Sequence, residues 1–271
     1  MSERSSRQSF LGPDSEAILG ALHVGVVGLG GGGSHIVQQL AHIGVGHYTI
    51  VDHDRIDESN LNRLVGGSTA DQKRSALKCA IAARQIRRIL PTARIAQIRK
   101  PWQSDAASLT GCDIIVGCLD SFAGRLELEA LARRHLIPYI DLGMDVYEVG
   151  PRYGISGQVT LSLPDKPCLK CMRVIREEWR AREAADYGAA GGRPQVVWPN
   201  GLLASTAVGI LVQLVTPWHD ETSPALLLEY DGNANTVSPS TMLEYLPKSC
   251  SHYSSVDNLG DPWYRQGKGK P

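Results

Sequence analysis

A glycine-rich turn followed by a polar segment offers the clearest chemistry in the chain. The turn, GLGGGGS, carries the spacing G-x-G-x-x-G with further glycines inside it. Glycines allow backbone N–H groups to approach a phosphate closely, and the start of the helix after them favours negative charge. Asp52 follows about 20 residues later, where an acid typically holds the ribose hydroxyls of a nucleotide. The pattern predicts a site for an unspecified nucleotide at Gly28, Gly30, Gly31, Gly33 and Asp52.

Cysteines form a second group of side chains that could take part in chemistry. The chain has six, and Cys168 and Cys171 form a CxxC, a spacing typical of metal or redox chemistry in a cytosolic protein. Cys79, Cys112 and Cys118 each stand alone in apolar surroundings, which favours buried and inert thiols. The pattern is not that of a disulfide framework.

The elements that position these residues alternate between strands and helices. Strands are predicted at HVGVVGL, HYTIVDHD, ARIAQIRK, DIIVGCLD and PYIDLGM, and helices at SHIVQQLAHIGV, AGRLELEALARRHL and, as one long helix, ADQKRSALKCAIAARQIRRILP. This order predicts an α/β fold with a doubly wound, mostly parallel, Rossmann-like sheet. ISGQVTLSLP, ALLLEYDG and STMLEYL predict further strands that extend the sheet in antiparallel fashion beside the CxxC.

The chain as a whole has the composition of a globular protein. Of its 271 residues 42% are hydrophobic, and 28 basic residues balance 28 acidic ones, so nothing favours nucleic acid or an anionic membrane as a partner. The N-terminus lacks a signal-peptide core, and the run GLLASTAVGILVQLV, about 15 residues, is shorter than a membrane span. We therefore expect a cytoplasmic protein with one domain over residues 1–253 and a disordered tail at 254–271.

Several segments together resemble one protein family. DHDRIDESNLNRL after the second strand, RQSFLG near the start, ALKCAIAARQIRRILP, DIIVGCLDSFAGR and GQVTLSLPDKPCLKCM are similar, in this order, to motifs of the ThiF/MoeB/HesA family of ubiquitin-activating-enzyme-like adenylyltransferases. The resemblance covers residues 7 to 172 and is far more specific than the glycine turn alone. It implies a nucleotide-binding half at about 20–150 and an acceptor- and zinc-binding half at about 151–253.

The resemblance implies an ATP-dependent reaction with Mg²⁺. The family adenylates the C-terminal glycine carboxylate of a small β-grasp protein, either a sulfur carrier or a ubiquitin-like modifier, and releases pyrophosphate. Such a reaction needs cations that screen two approaching anions and a carboxylate that holds the metal. By resemblance, the phosphate-contacting residues are Asn60, Arg63 and Lys78, with Lys73 as the rival of Lys78; Asp120 binds Mg²⁺, Asp52 holds the ribose, and Arg125 is structural.

Arg7 is implied to act from a partner subunit. In that arrangement the protein is a homodimer whose sites are completed in trans, with Arg7 as an arginine finger.

The resemblance also implies a structural Zn²⁺ site. The family has a second CxxC near the C-terminus, but here the corresponding segment is KSCSHYSS. A Cys₃His site from Cys168, Cys171, Cys250 and His252 satisfies the four-ligand preference of zinc, although the Cys-x-His spacing is unusual. A site completed by another residue, or lost altogether, is the alternative.

The segment at 174–195, which is predicted to be a short helix running into a mobile crossing, contains no cysteine. Thioester-forming members of the family carry their nucleophilic thiol there, so we expect no covalent thioester step and transfer of the acyl-adenylate to a separate sulfur donor or conjugating enzyme, with an unusual cysteine elsewhere in the chain as the alternative. The alternatives are an NAD(P)-dependent oxidoreductase, a tRNA-modifying adenylating relative and a non-catalytic scaffold. The first of these leaves Asn60, Arg63, Asp120 and the CxxC unexplained.

Overall fold

The strands of the computed structural model form a single eight-stranded sheet among the residues described, which are 2–164, 166–176, 194–219, 224–247 and 250–253. The strands are β1 (His23–Val27), β2 (His47–Val51), β3 (Arg94–Ile98), β4 (Ile114–Gly117), β5 (Tyr139–Val149), β6 (Arg152–Ser162), β7 (Leu227–Asp231) and β8 (Thr236–Pro239). Their order is β3-β2-β1-β4-β5-β6-β7-β8. The first five pair in parallel and the last three antiparallel, so the predicted mixed sheet is confirmed.

Helices cover both faces of the sheet. They are α1 (Ser15–Ala21), α2 (Gly31–Ile43), α3 (Thr69–Lys73), α4 (Lys78–Ile89), α5 (Phe122–Arg134) and α6 (Val197–Val215). One core contains apolar side chains of α2, α4 and α6, and the other contains those of α5 and of the 3-10 segment Trp102–Leu109. Two cores separated by a sheet are the doubly wound architecture that the alternation predicts.

The position of the site follows from the strand order. β1 pairs with β2 on one side and with β4 on the other, so the connection from β1 to β2 and the connection from β4 to β5 run in opposite directions. In open parallel sheets this point creates a crevice in which ligands bind. The glycine turn lies there, because it joins β1 to α2.

Helix α6 is long and apolar enough to cross a membrane by length and composition alone. Half of its apolar window is buried inside the fold, and it packs on α2 and on the strands β5 and β6. It is therefore a core helix of this fold, as its Gly-, Ala- and Ser-rich sequence predicts.

Two predicted elements differ from the structure. The single helix expected at ADQKRSALKCAIAARQIRRILP is two, because Ser75 adopts a left-handed backbone (φ 47°) between α3 and α4. STMLEYL is not a strand: β8 ends at Pro239, and a 3-10 turn at Thr241–Tyr245 follows, capped by the Ser240 hydroxyl, which accepts from the Met242 N–H. The predicted crossing and tail fall largely on 177–193 and 254–271, outside the described residues.

Candidate active site and metal centre

A cavity of about 2080 Å³ opens at the carboxyl ends of the parallel strands and continues over the strands β5 to β8. It exceeds the roughly 300–1,000 Å³ of an ordinary small-molecule pocket, so it has room for a nucleotide and a second ligand. Eight predicted site residues line it: Gly28, Gly30, Gly31, Asp52, Asn60, Arg63, Lys78 and Asp120. Arg7, Lys73 and Gly33 do not line it.

The glycine turn is shaped by close backbone approaches. Gly28 has φ 89°, and a Cβ on it would lie 2.5 Å from the carbonyl oxygen of Cys118. A Cβ on Gly33 would collide with the carbonyl oxygen of Gly28. Gly33 is therefore required by the backbone of the turn, although it does not line the cavity. At Gly30, where α2 is about to begin, an added Cβ meets no protein atom within 4 Å. Gly30 therefore leaves space on the ligand side of the turn.

Asp52 connects the glycine turn to the end of β2. Its carboxylate accepts the Leu29 N–H at 2.7 Å and the Asp54 N–H at 2.8 Å. Burial raises its pKa above the ordinary value, and the positive charge of Lys78 opposes that rise. The carboxylate thus fixes the turn and faces the cavity at the same time.

Lys78 is the first residue of α4, and its ammonium donates to Asp54 at 2.8 Å. Only 12% of its side chain is exposed. The break between α3 and α4 produces this position, since the Lys78 N–H donates to the Asp54 carbonyl at 3.0 Å. Lys73 is exposed at the end of α3. The sequence analysis did not predict Asp54. Its position two residues after Asp52, in DHD, is the feature that could have indicated it.

Asn60 ends the 3-10 segment Glu58–Asn60, and Arg63 lies in the turn that follows, where its N–H donates to the Asn60 carbonyl at 3.0 Å. The Asp57 carboxylate accepts the Asn60 N–H at 3.0 Å, and the Ser59 hydroxyl lowers the pKa of Asp57. The Asn60 side-chain oxygen is buried and has no protein hydrogen-bond partner. Arg63 is half-buried, and its guanidinium donates to the Ser59 carbonyl at 2.5 Å. The buried, unpartnered amide oxygen of Asn60 and the Arg63 side chain both belong to residues that line the cavity and mark a polar subsite within it.

Asp120 is exposed at the cavity wall, immediately before α5. Ser121 caps that helix through its hydroxyl, which accepts the Gly124 N–H at 2.9 Å. One turn later Arg125 is buried and pairs with Asp141, to which its Nε donates at 3.0 Å. This pair anchors α5 to β5, consistent with the structural role predicted for Arg125.

Two further cavity residues came from distant parts of the chain and were missed in the sequence. Asn200, in the first turn of α6, lies so close to Gly31 that a Cβ there would be 2.6 Å from its Nδ2. Gln158 on β6, in the orientation that satisfies both partners, accepts from Arg125 at 2.9 Å and donates to the Gly143 carbonyl at 3.3 Å. Neither residue carries a local motif, because each reaches the site through tertiary contact.

Of the isolated cysteines, Cys79 and Cys112 are buried as predicted, whereas Cys118 is half-buried and lines the cavity. Burial raises the pKa of Cys79 to about 12 and that of Cys112 to about 11, and it raises the pKa of Cys118 further. Thiols with raised pKa values stay protonated at neutral pH and are poor nucleophiles.

The other three cysteines converge with a histidine. The Cys168 and Cys171 sulfurs are 3.6 Å apart, the Cys171 and Cys250 sulfurs 3.7 Å, and His252 Nδ1 is 3.4 Å from both Cys168 and Cys171. Tetrahedral zinc with Zn–S bonds of about 2.3 Å separates two sulfurs by about 3.8 Å. The structure therefore brings all four predicted ligands together at distances that fit one ion, within 4.8 Å of one another.

Several known proteins are similar to this one in sequence or in fold. A SAMP-activating enzyme E1 of Haloferax volcanii is 31% identical over 63% of this chain and 61% of its own length. A sulfur carrier protein adenylyltransferase of Thermus thermophilus is 29% identical over 79% of each chain. The chain thus spans about three fifths of the haloarchaeal enzyme. The crystal structure of Escherichia coli MccB with ATP superposes with a TM-score of 0.72 at 18% identity, covering 89% of this chain and 72% of MccB, which shows a shared fold. The ThiF family profile matches residues 3–252, and this protein belongs to the ThiF family.

Proposed function

We propose that this protein is an adenylyltransferase. It uses ATP and Mg²⁺ to activate the C-terminal glycine carboxylate of a small β-grasp protein, a sulfur carrier or ubiquitin-like modifier, and releases pyrophosphate. The observation that carries the proposal is the single cavity that joins the glycine turn to Asn60, Arg63, Lys78 and Asp120 and then continues over β5 to β8. Two relatives support it, since their names describe activation of a protein of this kind.

The cavity residues suit an attack by one anion on another. The acceptor carboxylate oxygen forms a bond to the α-phosphorus while the bond to the β-phosphate oxygen breaks, so negative charge accumulates on pyrophosphate. Arg63 and Lys78 supply positive charge to the phosphates, and the N-terminus of α2 adds its dipole. The orphaned Asn60 oxygen and the Asp52 carboxylate orient the nucleotide through its polar groups. An NAD(P)-dependent oxidoreductase would leave Asn60, Arg63 and Asp120 together without a role in this cavity.

Asp120 fits a magnesium ion. Mg²⁺ prefers hard oxygen donors and usually keeps one or two protein carboxylates together with phosphate oxygens. The Asp120 carboxylate is exposed in the same cavity as the glycine turn. Bound there, the ion would neutralise charge on the phosphates.

The part of the cavity over β5 to β8 is assigned to the acceptor tail. Gly143, Gln158 and Glu229 are opposite one another on neighbouring strands and share one face of the sheet. Gln158 and Glu229 give an extended peptide hydrogen-bonding groups on this face of the sheet, and Gly143 leaves room for the Gln158 side chain, which an added Cβ would meet.

Product transfer proceeds without an enzyme thioester in this proposal. The crossing segment contains no cysteine, and desolvation raises the pKa values of Cys79, Cys112 and the half-buried Cys118. The acyl-adenylate passes to a separate sulfur donor or conjugating enzyme. Mass spectrometry that detects an enzyme–acceptor conjugate cleaved by thiol reductants would contradict this part.

The four-residue cluster at Cys168, Cys171, Cys250 and His252 is assigned to structural Zn²⁺. Three thiolates and one imidazole fill a tetrahedral shell and leave no open position for catalysis. Metal analysis of the purified protein and of H252A tests the assignment, with one equivalent expected in the wild type.

The adenylation proposal is tested by binding and by exchange. We expect Mg·ATP to bind far more tightly than NAD or NADP in calorimetry, and ubiquitin-like proteins ending in Gly-Gly to support ATP–pyrophosphate exchange. D120N and K78A are each expected to lower exchange by a factor of about 10² to 10³, the usual effect of removing one transition-state contact.

K73A is the matched control for K78A. Lys73 lies five positions earlier on the exposed end of α3 and outside the cavity, so K73A is expected to behave like the wild type. Full exchange by folded D120N, or preferential binding of NAD, would contradict the proposed function.

A further inference from the structure

Helix α5 carries two charged residues that the adenylation chemistry does not use. Glu129 and Arg133, one turn apart, are both 0% exposed. Acidic and basic side chains are almost never fully buried unless they are paired. Neither residue lines the large cavity, so their burial needs another explanation.

Glu129 connects two segments that are far apart in the chain. Its Oε1 accepts the Leu169 N–H at 2.9 Å and the Ser162 hydroxyl at 2.6 Å, and its Oε2 accepts the Tyr253 hydroxyl at 3.4 Å. Leu169 lies between Cys168 and Cys171, and Tyr253 follows His252. One carboxylate thus bonds the backbone inside the CxxC and the residue that follows His252.

Arg133 holds the segment that leads into the CxxC. Its guanidinium donates to the Leu163 carbonyl at 2.7 Å, to the Lys166 carbonyl at 2.7 Å and to the Ser162 hydroxyl at 2.8 Å. The same guanidinium lies 4.9 Å from the centre of the Tyr253 ring, a cation–π distance. Arg133 therefore also contacts both ligand-bearing segments, before the CxxC and after His252.

Two buried charges are expensive to desolvate, and an apolar pair of similar size is often no less stable. The pair instead fixes the relative positions of the two ligand-bearing segments. These segments are about eighty residues apart in the chain, and without the pair a metal ion alone would have to order both. Outer-shell hydrogen bonds are known to fix the orientation of metal ligands. In this structure the hydrogen bonds run to the backbone of the CxxC and to the neighbour of His252.

We propose that Glu129 and Arg133 are positioning residues that hold the CxxC and the C-terminal Cys-x-His in register for a metal ion. The inference rests on the zinc assignment made under the proposed function. It concerns retention of the metal, and it is independent of the adenylation reaction.

The test measures the rate at which the zinc-loaded, full-length protein releases zinc to excess EDTA. E129A is expected to accelerate release by at least about tenfold, the lower end of the effect of outer-shell substitutions. E129Q keeps one oxygen for the Leu169 and Ser162 donors and is expected to stay closer to the wild type. E127A is the matched control, because Glu127 lies on the same helix but is exposed and contacts only Gln103 among the bonds described.

Y253F keeps the test decisive if E129A fails to fold. It removes only the hydroxyl that donates to Glu129, so the fold is retained and release is expected to quicken by a few fold. Thermal midpoints of the metal-free proteins separate this effect from general destabilisation, since E127A and Y253F should match the wild type there. Wild-type release rates in Y253F, and in E129A where it folds, overturn the inference. A wild-type protein that binds no zinc instead overturns the zinc assignment and the inference with it.

Discussion

At the scale of single residues, the glycines of the turn differ in what their missing side chains leave room for. Gly28 and Gly33 make way for protein backbone, and Gly31 makes way for Asn200. Gly30 faces no protein atom within 4 Å. The first three are thus needed by the fold, and Gly30 is free for a ligand.

This difference predicts opposite results for two alanine variants. G30A is expected to weaken Mg·ATP binding by about tenfold, because its methyl group occupies the space of a phosphate, while stability falls by only about 1 kcal/mol for the poorer helix cap. G33A is expected to unfold at a clearly lower temperature, since its Cβ collides with the Gly28 carbonyl. Calorimetric titration and thermal melts measure both effects. Wild-type ATP affinity in G30A would place the phosphates elsewhere.

At the scale of elements, the sequence predicts the strands and helices that depend on neighbouring residues. It does not predict features of the structure that contacts between distant residues determine. The strands β1 to β5, the helix α2 ended by Gly44 and the parallel order all follow from local periodicity and glycine signals. The break before α4 does not, because Asp71 is buried by Ser68, Arg74 and Arg84 and redirects the chain. Asn200 and Glu129 escaped notice for the same reason, as each acts on residues far away in sequence. Of the four proposed zinc ligands, Cys168 and Cys171 were predictable from the CxxC spacing, whereas Cys250 and His252 were predictable only through the family resemblance.

The Asp71 contacts predict a pH-dependent stability. Arg84 lowers the pKa of the Asp71 carboxyl far below its ordinary value, so the ionised form stabilises the fold above the ordinary pKa of aspartate and this contribution fades as pH falls towards the lowered one. D71N is expected to lose about 1.5–3 kcal/mol of unfolding free energy at neutral pH, the usual contribution of charged hydrogen bonds. Urea unfolding at neutral pH and near pH 3 measures it, and the deficit of D71N should shrink in acid.

R74A provides the control for this prediction. The Arg74 side chain is 68% exposed, whereas Arg84 is only 33% exposed and donates to both Asp71 oxygens at 2.7 Å. Loss of an exposed ion pair changes stability little, so R74A should stay near the wild type at both pH values. A deficit of D71N that is equal at both pH values would mean that packing, and not charge, accounts for it.

At the scale of the whole molecule, one predicted cation lies outside the site that it is expected to serve. Arg7 is exposed on the 3-10 segment Glu3–Leu11 and does not line the cavity of its own chain. Phe10, on the same segment, is 64% exposed and meets the ring of Trp218, 41% exposed, edge to face. An exposed apolar patch bordered by polar residues is typical of a protein–protein contact. The proposed homodimer with Arg7 acting in trans accounts for both features.

Mixed dimers test this arrangement directly. R7A and D120N homodimers are each expected to be inactive in ATP–pyrophosphate exchange, because every site lacks one charge. If Arg7 serves the partner, a mixed dimer regains one complete site, formed by the intact Asp120 of the R7A chain and the Arg7 of the D120N chain. Random exchange of subunits then restores about one quarter of wild-type activity, since half of the dimers are mixed and each has one of two sites complete. If Arg7 serves its own chain, or if the chains remain monomeric, mixing restores nothing, and the shared site is ruled out.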